Sequence, residues 1–320
     1  MGTSTLAAAA GADDDESMTG PAISTKRLTK RYGSTTVVDE LSLTVPRGII
    51  FGFLGPNGAG KTTTIDLLLG LREPTAGSAR VLGVDVVADP DLVRNQVGAV
   101  LDEPGLYEHL SALDNLHFWA RVWSVPEERI EFLLRGIGLW DRRLDRVGSW
   151  SRGMQQQLAL IRARLHDPEL LFLDEPTAGL DVLSARDVRA QLRVLTEAGK
   201  SVFLTTHNMT EAEELCDRVA VIQRGRLVAE GTPAELMNRS GHELHIVGSG
   251  LDHAAKVLKR HPEILAHMMD GDRLWLRLAD PDPSGLVADL VAAGVSIREV
   301  ANESRLEDAF VELTGADHGD

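Results

Sequence analysis

Ile49-Ile50-Phe51-Gly52-Phe53-Leu54-Gly55-Pro56-Asn57-Gly58-Ala59-Gly60-Lys61-Thr62-Thr63 is the stretch on which the reading of this chain turns. Its first six residues are apolar on both faces, as in a strand buried inside a sheet. Its second half matches G-x-x-x-x-G-K-[ST], and Thr62 to Leu69 continues as a helix. Gly55, Gly58 and Gly60 let backbone N–H groups turn inward around an anion with no Cβ in the way. The start of the following helix adds partial positive charge. In such a loop Lys61 reaches the β and γ phosphates of a nucleotide, and the Thr62 hydroxyl holds Mg2+. Pro56, Asn57, Ala59 and Thr63 complete the predicted phosphate contact.

Two further apolar runs lie downstream, Leu170 to Leu173 and Ser201 to Thr205. Three such runs suit the central strands of a mostly parallel sheet covered by helices, an α/β architecture. The second run ends in Asp174-Glu175, at the carboxyl edge of the sheet where phosphate loops also sit. Asp174 is expected to hold Mg2+, directly or through water. Glu175 is expected to polarise the water that attacks the γ-phosphate. Alone, the pair reads equally well as a cap on the turn at Pro176; 113 residues after Lys61, the chemical reading prevails. Upstream, Ile23 to Val45 reads as short antiparallel strands with a turn at Gly33-Ser34.

The chain has 320 residues, 33 Lys plus Arg against 48 Asp plus Glu, and a net charge of −15. A surplus of acid argues against a general nucleic-acid binder, which needs clustered bases. It also argues against docking on anionic lipid by charge alone. No apolar run approaches the roughly 20 residues of a membrane span. The single cysteine, Cys216, excludes an internal disulfide and fits a reducing cytosol. The charge is uneven: −4 in residues 1–20, −3 in 21–240 and −8 in 241–320. Three parts are expected: a disordered acidic tail (1–20), a nucleotide-binding domain (21–240) and a small accessory domain (241–320).

In the last part, Glu243 to Val247 reads as a strand and Asp252 to Arg260 as a helix. Ile264 to Met269 and Arg273 to Leu278 read as strands joined by Asp270-Gly271. Gly285 to Ala293 reads as a helix, Ser296 to Val300 as a strand and Leu306 to Leu313 as a helix capped by Ser304. That order is ferredoxin-like. Before it, Thr232 and Pro233 mark the start of a short helix.

Trp150-Ser151-Arg152-Gly153-Met154-Gln155-Gln156 precedes the acid pair, with Ser151 23 residues before Asp174. Here the chain resembles the ATP-binding-cassette (ABC) ATPases, whose signature commonly reads Leu-Ser-Gly-Gly-Gln. Ser151 and Gly153 are kept; Trp150, Arg152 and Met154 depart. An aromatic first and a basic third residue is similar to the variant in exporter ATPases of the daunorubicin-resistance kind. Ser151 and the N–H groups opening a helix from Gly153 to Arg164 make a second phosphate site. The resemblance implies that this site closes over ATP held by a partner subunit.

Other positions resemble the family one by one. Tyr32 resembles the aromatic that stacks on adenine, worth roughly 1–3 kcal/mol by analogy with base stacking. Ala178-Gly179-Leu180-Asp181 resembles the loop coupling the two sites of a dimer. His207 resembles the switch histidine at the γ-phosphate, and joins Lys61 and Glu175 as the expected catalytic set. Gly98 to Pro104 resembles the loop whose glutamine binds Mg2+ and senses the transport partner; Asp102 holds that place. Its shorter carboxylate can take Mg2+, bind the water of the ion, or sit too far back. Gln157 stands where an arginine is common.

The resemblance covers about residues 22–238 and implies a P-loop NTPase of the ABC type, an α/β mixed sheet with a helical subdomain. The C-terminal part resembles the small α+β domain appended to some exporter ATPases, with Leu306 and Phe310 expected in its core. ATP and Mg2+ are the implied cofactors. The implied partners are a second nucleotide-binding subunit, like or unlike, and a separate transmembrane permease. The implied place is the cytoplasmic face of the membrane, and the implied cargo a drug, antibiotic or lipid-like molecule. Leu106 to Arg146 is expected to supply the permease groove, with Trp119, Trp123 and Trp140 either lining it or packed in the core. The alternative is a soluble ABC ATPase with a regulatory role outside transport.

Overall fold

The computed structural model describes residues 20–239, 242–279, 282–302 and 305–315; most of the acidic N-terminal segment and the Ser304 cap lie outside them. In chain order the described elements are β1 (Ile23–Tyr32), β2 (Thr35–Val45), β3 (Ile50–Leu54), α1 (Lys61–Leu68), β4 (Ala76–Val81), β5 (Val84–Asp85), α2 (Pro90–Gln96) and β6 (Val97–Val100). Then come α3 (Ala112–Val122), α4 (Glu127–Gly136), α5 (Arg152–Arg164), β7 (Leu170–Asp174), α6 (Val182–Glu197), β8 (Ser201–Thr206), α7 (Met209–Leu215), β9 (Arg218–Gln223), β10 (Arg226–Gly231) and α8 (Pro233–Arg239). The chain ends through β11 (His242–Ser249), α9 (Ala254–Leu258), β12 (Ile264–Asp270), β13 (Arg273–Leu278), α10 (Ser284–Ala292), β14 (Ser296–Asn302) and α11 (Leu306–Thr314). Among the described residues no helix is long and apolar enough to cross a membrane.

Two compact units result. The first takes in the described residues up to Asn208 with Leu215–Leu227; the second takes in Met209–Glu214 and the described residues from Val228 on. In the first unit a six-stranded sheet has the order β10-β9-β3-β8-β7-β6, and the chain passes into the second unit within β10. The pairs β3–β8, β3–β9, β7–β8 and β6–β7 are parallel. β3, β7 and β8 are buried at every residue, which explains their largely apolar sequences. Register sets Phe51 and Phe172 on either side of Phe203, and the three rings with Phe53 join Ile65, Leu67 and Leu68 of α1 in one core. A smaller sheet, β2-β1-β4-β5, adds Ile23, Leu28 and Val81 to that core. β1 and β2 turn at Gly33, whose φ is +56°.

α3, α4 and α5 form a separate helical layer around Leu116, Leu134, Leu158 and Ile161. Trp119 and Trp123 are half-buried against it and stack at 5.2 Å, while Trp140 carries the Arg143 guanidinium 4.3 Å from its ring centre. α3 starts at Ser111, whose hydroxyl accepts the Asp114 N–H at 3.0 Å.

The second unit holds an antiparallel sheet in the order β12-β13-β11-β14, the split βαβ arrangement of a ferredoxin-like fold. Leu244, Ile246, Leu274, Leu276 and Leu278 form its core with α9 and α10. The hairpin turn falls one residue later than the sequence suggests. Asp270 still pairs with Arg273, so Gly271 and Asp272 make the turn, with Gly271 at φ +58° in the position that needs it. The expected helix from Asp252 to Arg260 is shorter, a 3-10 turn (Leu251–His253) followed by α9. Thr232 and Glu235 bond reciprocally at the start of α8, with Pro233 as its first residue. In α11, Leu306 is buried and Phe310 only half-buried.

Candidate functional site

Because β3, β7 and β8 run parallel, their carboxyl ends open at one edge of the sheet. β3 runs into the glycine loop and α1, β7 into Glu175, and β8 into His207. These ends and the loop after β6 line a cleft of about 350 Å3. Asn57, Gly58, Gly60, Lys61, Thr62, Thr63, Asp102, Asp174, Glu175 and His207 all face it.

The loop is shaped by contacts that only glycine permits. At Gly60, φ is +105°, and a Cβ would stand 2.6 Å from the Val37 carbonyl oxygen. At Gly55 it would stand 2.6 Å from the Ile222 carbonyl oxygen. The loop is therefore pressed against β2 and β9 at positions where only glycine fits. Lys61 is buried; its Nζ donates to the Gly55 carbonyl at 2.8 Å and the Pro56 carbonyl at 3.4 Å. The same Nζ lies 3.3 Å from Glu175 Oε1.

Asp174 is only 6% exposed and held on both oxygens. The Thr62 hydroxyl donates to Oδ2 at 2.8 Å, and the Thr205 hydroxyl donates to Oδ1. Thr205 is the residue paired with Asp174 across β7 and β8. Sequence reasoning missed it, although it stands two places before His207. Glu175 takes a left-handed backbone, φ +51°. Its N–H donates to the Thr205 carbonyl at 3.1 Å, and its carbonyl accepts from Ala178 at 3.1 Å. These bonds hold a conformation that a side chain rarely adopts. His207 Nδ1 sits 2.5 Å from Glu175 Oε2, so the carboxylate lies between Lys61 and an imidazole.

Asp102 faces the same cleft from an exposed loop. With Thr62 and Asp174 it offers a hydroxyl and two carboxylates, hard oxygen donors that fit Mg2+.

The remaining expected site residues do not line the cleft. Tyr32, 40% exposed at the end of β1, has Lys30 Nζ 5.3 Å and the Arg72 guanidinium 5.7 Å from its ring centre. The hydrogen bond that Arg72 Nε donates to Asp66 Oδ2 at 2.7 Å, followed by the charge of Tyr32, holds Arg72 above its ordinary pKa. Ser151 caps α5 by accepting the Met154 N–H at 3.3 Å. Asp181 caps α6, accepting from Leu183 and Ser184 N–H at 3.0 Å each and from the Ser184 hydroxyl at 2.6 Å. Those bonds, the Ser184 hydroxyl first, hold its carboxyl below the usual range. Ser184 also crowds Gly153, where a Cβ would lie 2.2 Å from its Oγ. Arg152 packs on Gly179 in the same way, so the signature segment and the Ala178–Asp181 loop are neighbours.

Known proteins resemble this chain over most of its length. A family model described as ABC transporter matches residues 38–178. The chain is 38% identical over 306 residues to the daunorubicin/doxorubicin resistance ATP-binding protein DrrA of Streptomyces peucetius, with 92% of each covered. It is 35% identical over 297 residues to the bacitracin transport ATP-binding protein BcrA of Bacillus licheniformis, covering 92% of this chain and 97% of that one. The solved structure of an ATP binding subunit of an ABC transporter matches with a TM-score of 0.63 at 30% identity, over 68% of this chain and 92% of that chain. With a glycine loop, a lysine and two strand-end acids converging on one cleft, the chain belongs to the ATP-binding, ATP-hydrolysing subunits of ABC transporters.

Proposed function

We propose that this chain powers an exporter, with residues 21–240 as the cassette and 241–320 as an accessory domain. The supporting observation is the convergence of Lys61, Thr62, Asp174 and Glu175 on one cleft. Residues Gly55 to Thr63 and Lys61 bind the phosphates of ATP, Tyr32 stacks on adenine, and Thr62, Asp174 and Asp102 hold Mg2+. The ion, when bound, neutralises charge on the phosphate oxygens. Glu175 accepts a proton from the attacking water, whose oxygen bonds to the γ-phosphorus as the bond to the β–γ bridging oxygen breaks, leaving ADP and phosphate. Its strained backbone and the flanking His207 keep that carboxylate aimed into the cleft.

Ser151, Gly153 and Asp181 have their place across a dimer, closing over the ATP of a second nucleotide-binding subunit. Half-buried Trp119 and Trp123, which border a groove beside Asp102, offer the surface for a separate membrane permease. In this reading the subunit sits peripherally on the cytoplasmic face. Relatives named for daunorubicin resistance and bacitracin transport support a drug, antibiotic or lipid-like cargo.

Replacing Glu175 with Gln tests the core of this reading. Turnover should fall by about 10²–10⁴, the usual worth of a general base, while ATP still binds and traps a closed dimer on gel filtration. Near-normal hydrolysis would remove Glu175 from its role, and loss of ATP binding would undo the cleft assignment. Co-purification with a membrane-spanning chain tests the exporter.

A further inference from the structure

Arg162 lies on α5, eleven residues beyond Ser151. Its Nη1 donates to the Gly105 carbonyl at 2.9 Å and its Nη2 to the Ala99 carbonyl at 3.0 Å. Those two carbonyls stand three residues on either side of Asp102. Ala99 belongs to β6, beside β7, and is fixed by the sheet. Gly105 lies at the far end of the loop with φ +62°, and a Cβ there would stand 2.4 Å from Nη1. The loop bearing Asp102 is thus gathered at both ends onto one guanidinium, which also lies over the Trp119 ring at 5.5 Å.

The charge on Arg162 is costly where it sits. Among the described residues no carboxylate pairs with it, and burial lowers its pKa against a raising influence from Tyr107. A partly buried cation without an anion costs stability, and an apolar side chain of similar volume would pack there at less cost. What an apolar residue cannot supply is a rigid planar fork with two donors at a fixed spacing.

We propose that Arg162 is a positioning residue that ties the loop carrying Asp102 to the helix beginning at Ser151. The placement of Asp102 at the phosphate cleft and the placement of that helix are then set together. A partner's ATP drawn against Ser151 acts, through α5, on the loop that helps hold Mg2+ in this subunit. This inference rests on reading the cleft as an ATP and Mg2+ site.

The test uses the full chain with Arg162→Lys and Arg162→Met, Asp102→Ala, and the Arg162→Met, Asp102→Ala double variant. Hydrogen–deuterium exchange of residues 101–106 should quicken about tenfold in both Arg162 variants, since each loses the two-point clamp, with α5 itself unchanged. The Mg2+ concentration giving half-maximal turnover should rise by about 10–100-fold, the range seen when groups that orient metal ligands are removed. ATP binding in EDTA should stay near the wild-type value. In the Asp102→Ala background, Arg162→Met should add nothing further to the Mg2+ requirement. Unchanged exchange in the loop overturns the proposal, as does an Arg162→Met effect that multiplies with that of Asp102→Ala. If Arg162→Met fails to fold, Arg162→Lys carries the same comparison. A wild-type chain without Mg2+-dependent turnover counts against the ATP reading alone, because the exchange measurement needs no nucleotide.

Discussion

The two units contain sheets built by opposite rules. In the six-stranded sheet, parallel strands release their chain ends on one side. Lys61, Asp174 and His207 therefore meet although they are distant in sequence. In the four-stranded sheet of the second unit, neighbouring strands leave at opposite ends. Its polar residues gather on a face instead: His245 stacks on Trp275 at 5.1 Å, and Arg277 reaches Glu312 at 3.0 Å. Parallel pairing concentrates chemistry at an edge, and antiparallel pairing spreads it over a surface. Substitutions in the first sheet should therefore reach ATP, and substitutions in the second should leave ATP untouched.

The largest expected effect is at Phe203, whose ring centre lies 5.9, 5.5 and 5.6 Å from those of Phe51, Phe53 and Phe172. Phe203→Ala should cost about 3–5 kcal/mol in denaturant unfolding and weaken ATP binding with it. Unfolding of the first unit without any loss of ATP binding would break the comparison. Leu274→Ala, in the fully buried core of the second sheet, should cost about 2–5 kcal/mol. Turnover in the cold should match the wild type; a matching fall in turnover would show that the two sheets do not divide the work.

Gly60→Ala is expected to cost about 1–3 kcal/mol through crowding against Val37 and the positive φ. Its effect on ATP affinity, measured by calorimetry, should exceed its effect on melting temperature. The smallest effect concerns His261, whose Nδ1 lies 2.5 Å from Glu263 and whose Nε2 lies 3.1 Å from Asp289. The Glu263 hydrogen bond, then Asp289, raises its pKa against the opposing pull of burial. Its stabilisation is therefore full below the ordinary histidine value and is lost as pH rises through the raised one. Melting curves from mildly acidic to mildly alkaline pH should show this decline in the wild type. His261→Ala should flatten it, and an unchanged slope would discard the assignment.

The residues that meet in the cleft were readable from sequence wherever a short motif carries them. Gly55 to Thr63 and Asp174-Glu175 each have a fixed local pattern, and His207 follows a buried strand. The clamps on them had no such pattern. Thr205 reaches Asp174 because β7 and β8 pair in one register, and Arg162 reaches Ala99 and Gly105 from more than fifty residues away. Turn chemistry was readable to within one residue at Gly271, because an Asp-Gly pair signals a turn but not which residue opens it. The three tryptophans were ambiguous between core and surface, since an indole is both apolar and polar; packing left Trp119 and Trp123 half-buried.

The bulk charge of −15 says little, because residues 21–240 carry only −3 of it. By itself the sequence determined the glycine loop, the buried parallel strands, the order of the C-terminal elements and the family. Those are local properties: backbone freedom, apolar runs and motif spacing. Tertiary structure alone decided that Asp174 is gripped on both oxygens, that Glu175 is held at positive φ and that Asp102 hangs on a loop clamped by Arg162. Each of these depends on strand register or on a contact between distant segments, and neither is written in any short stretch of chain.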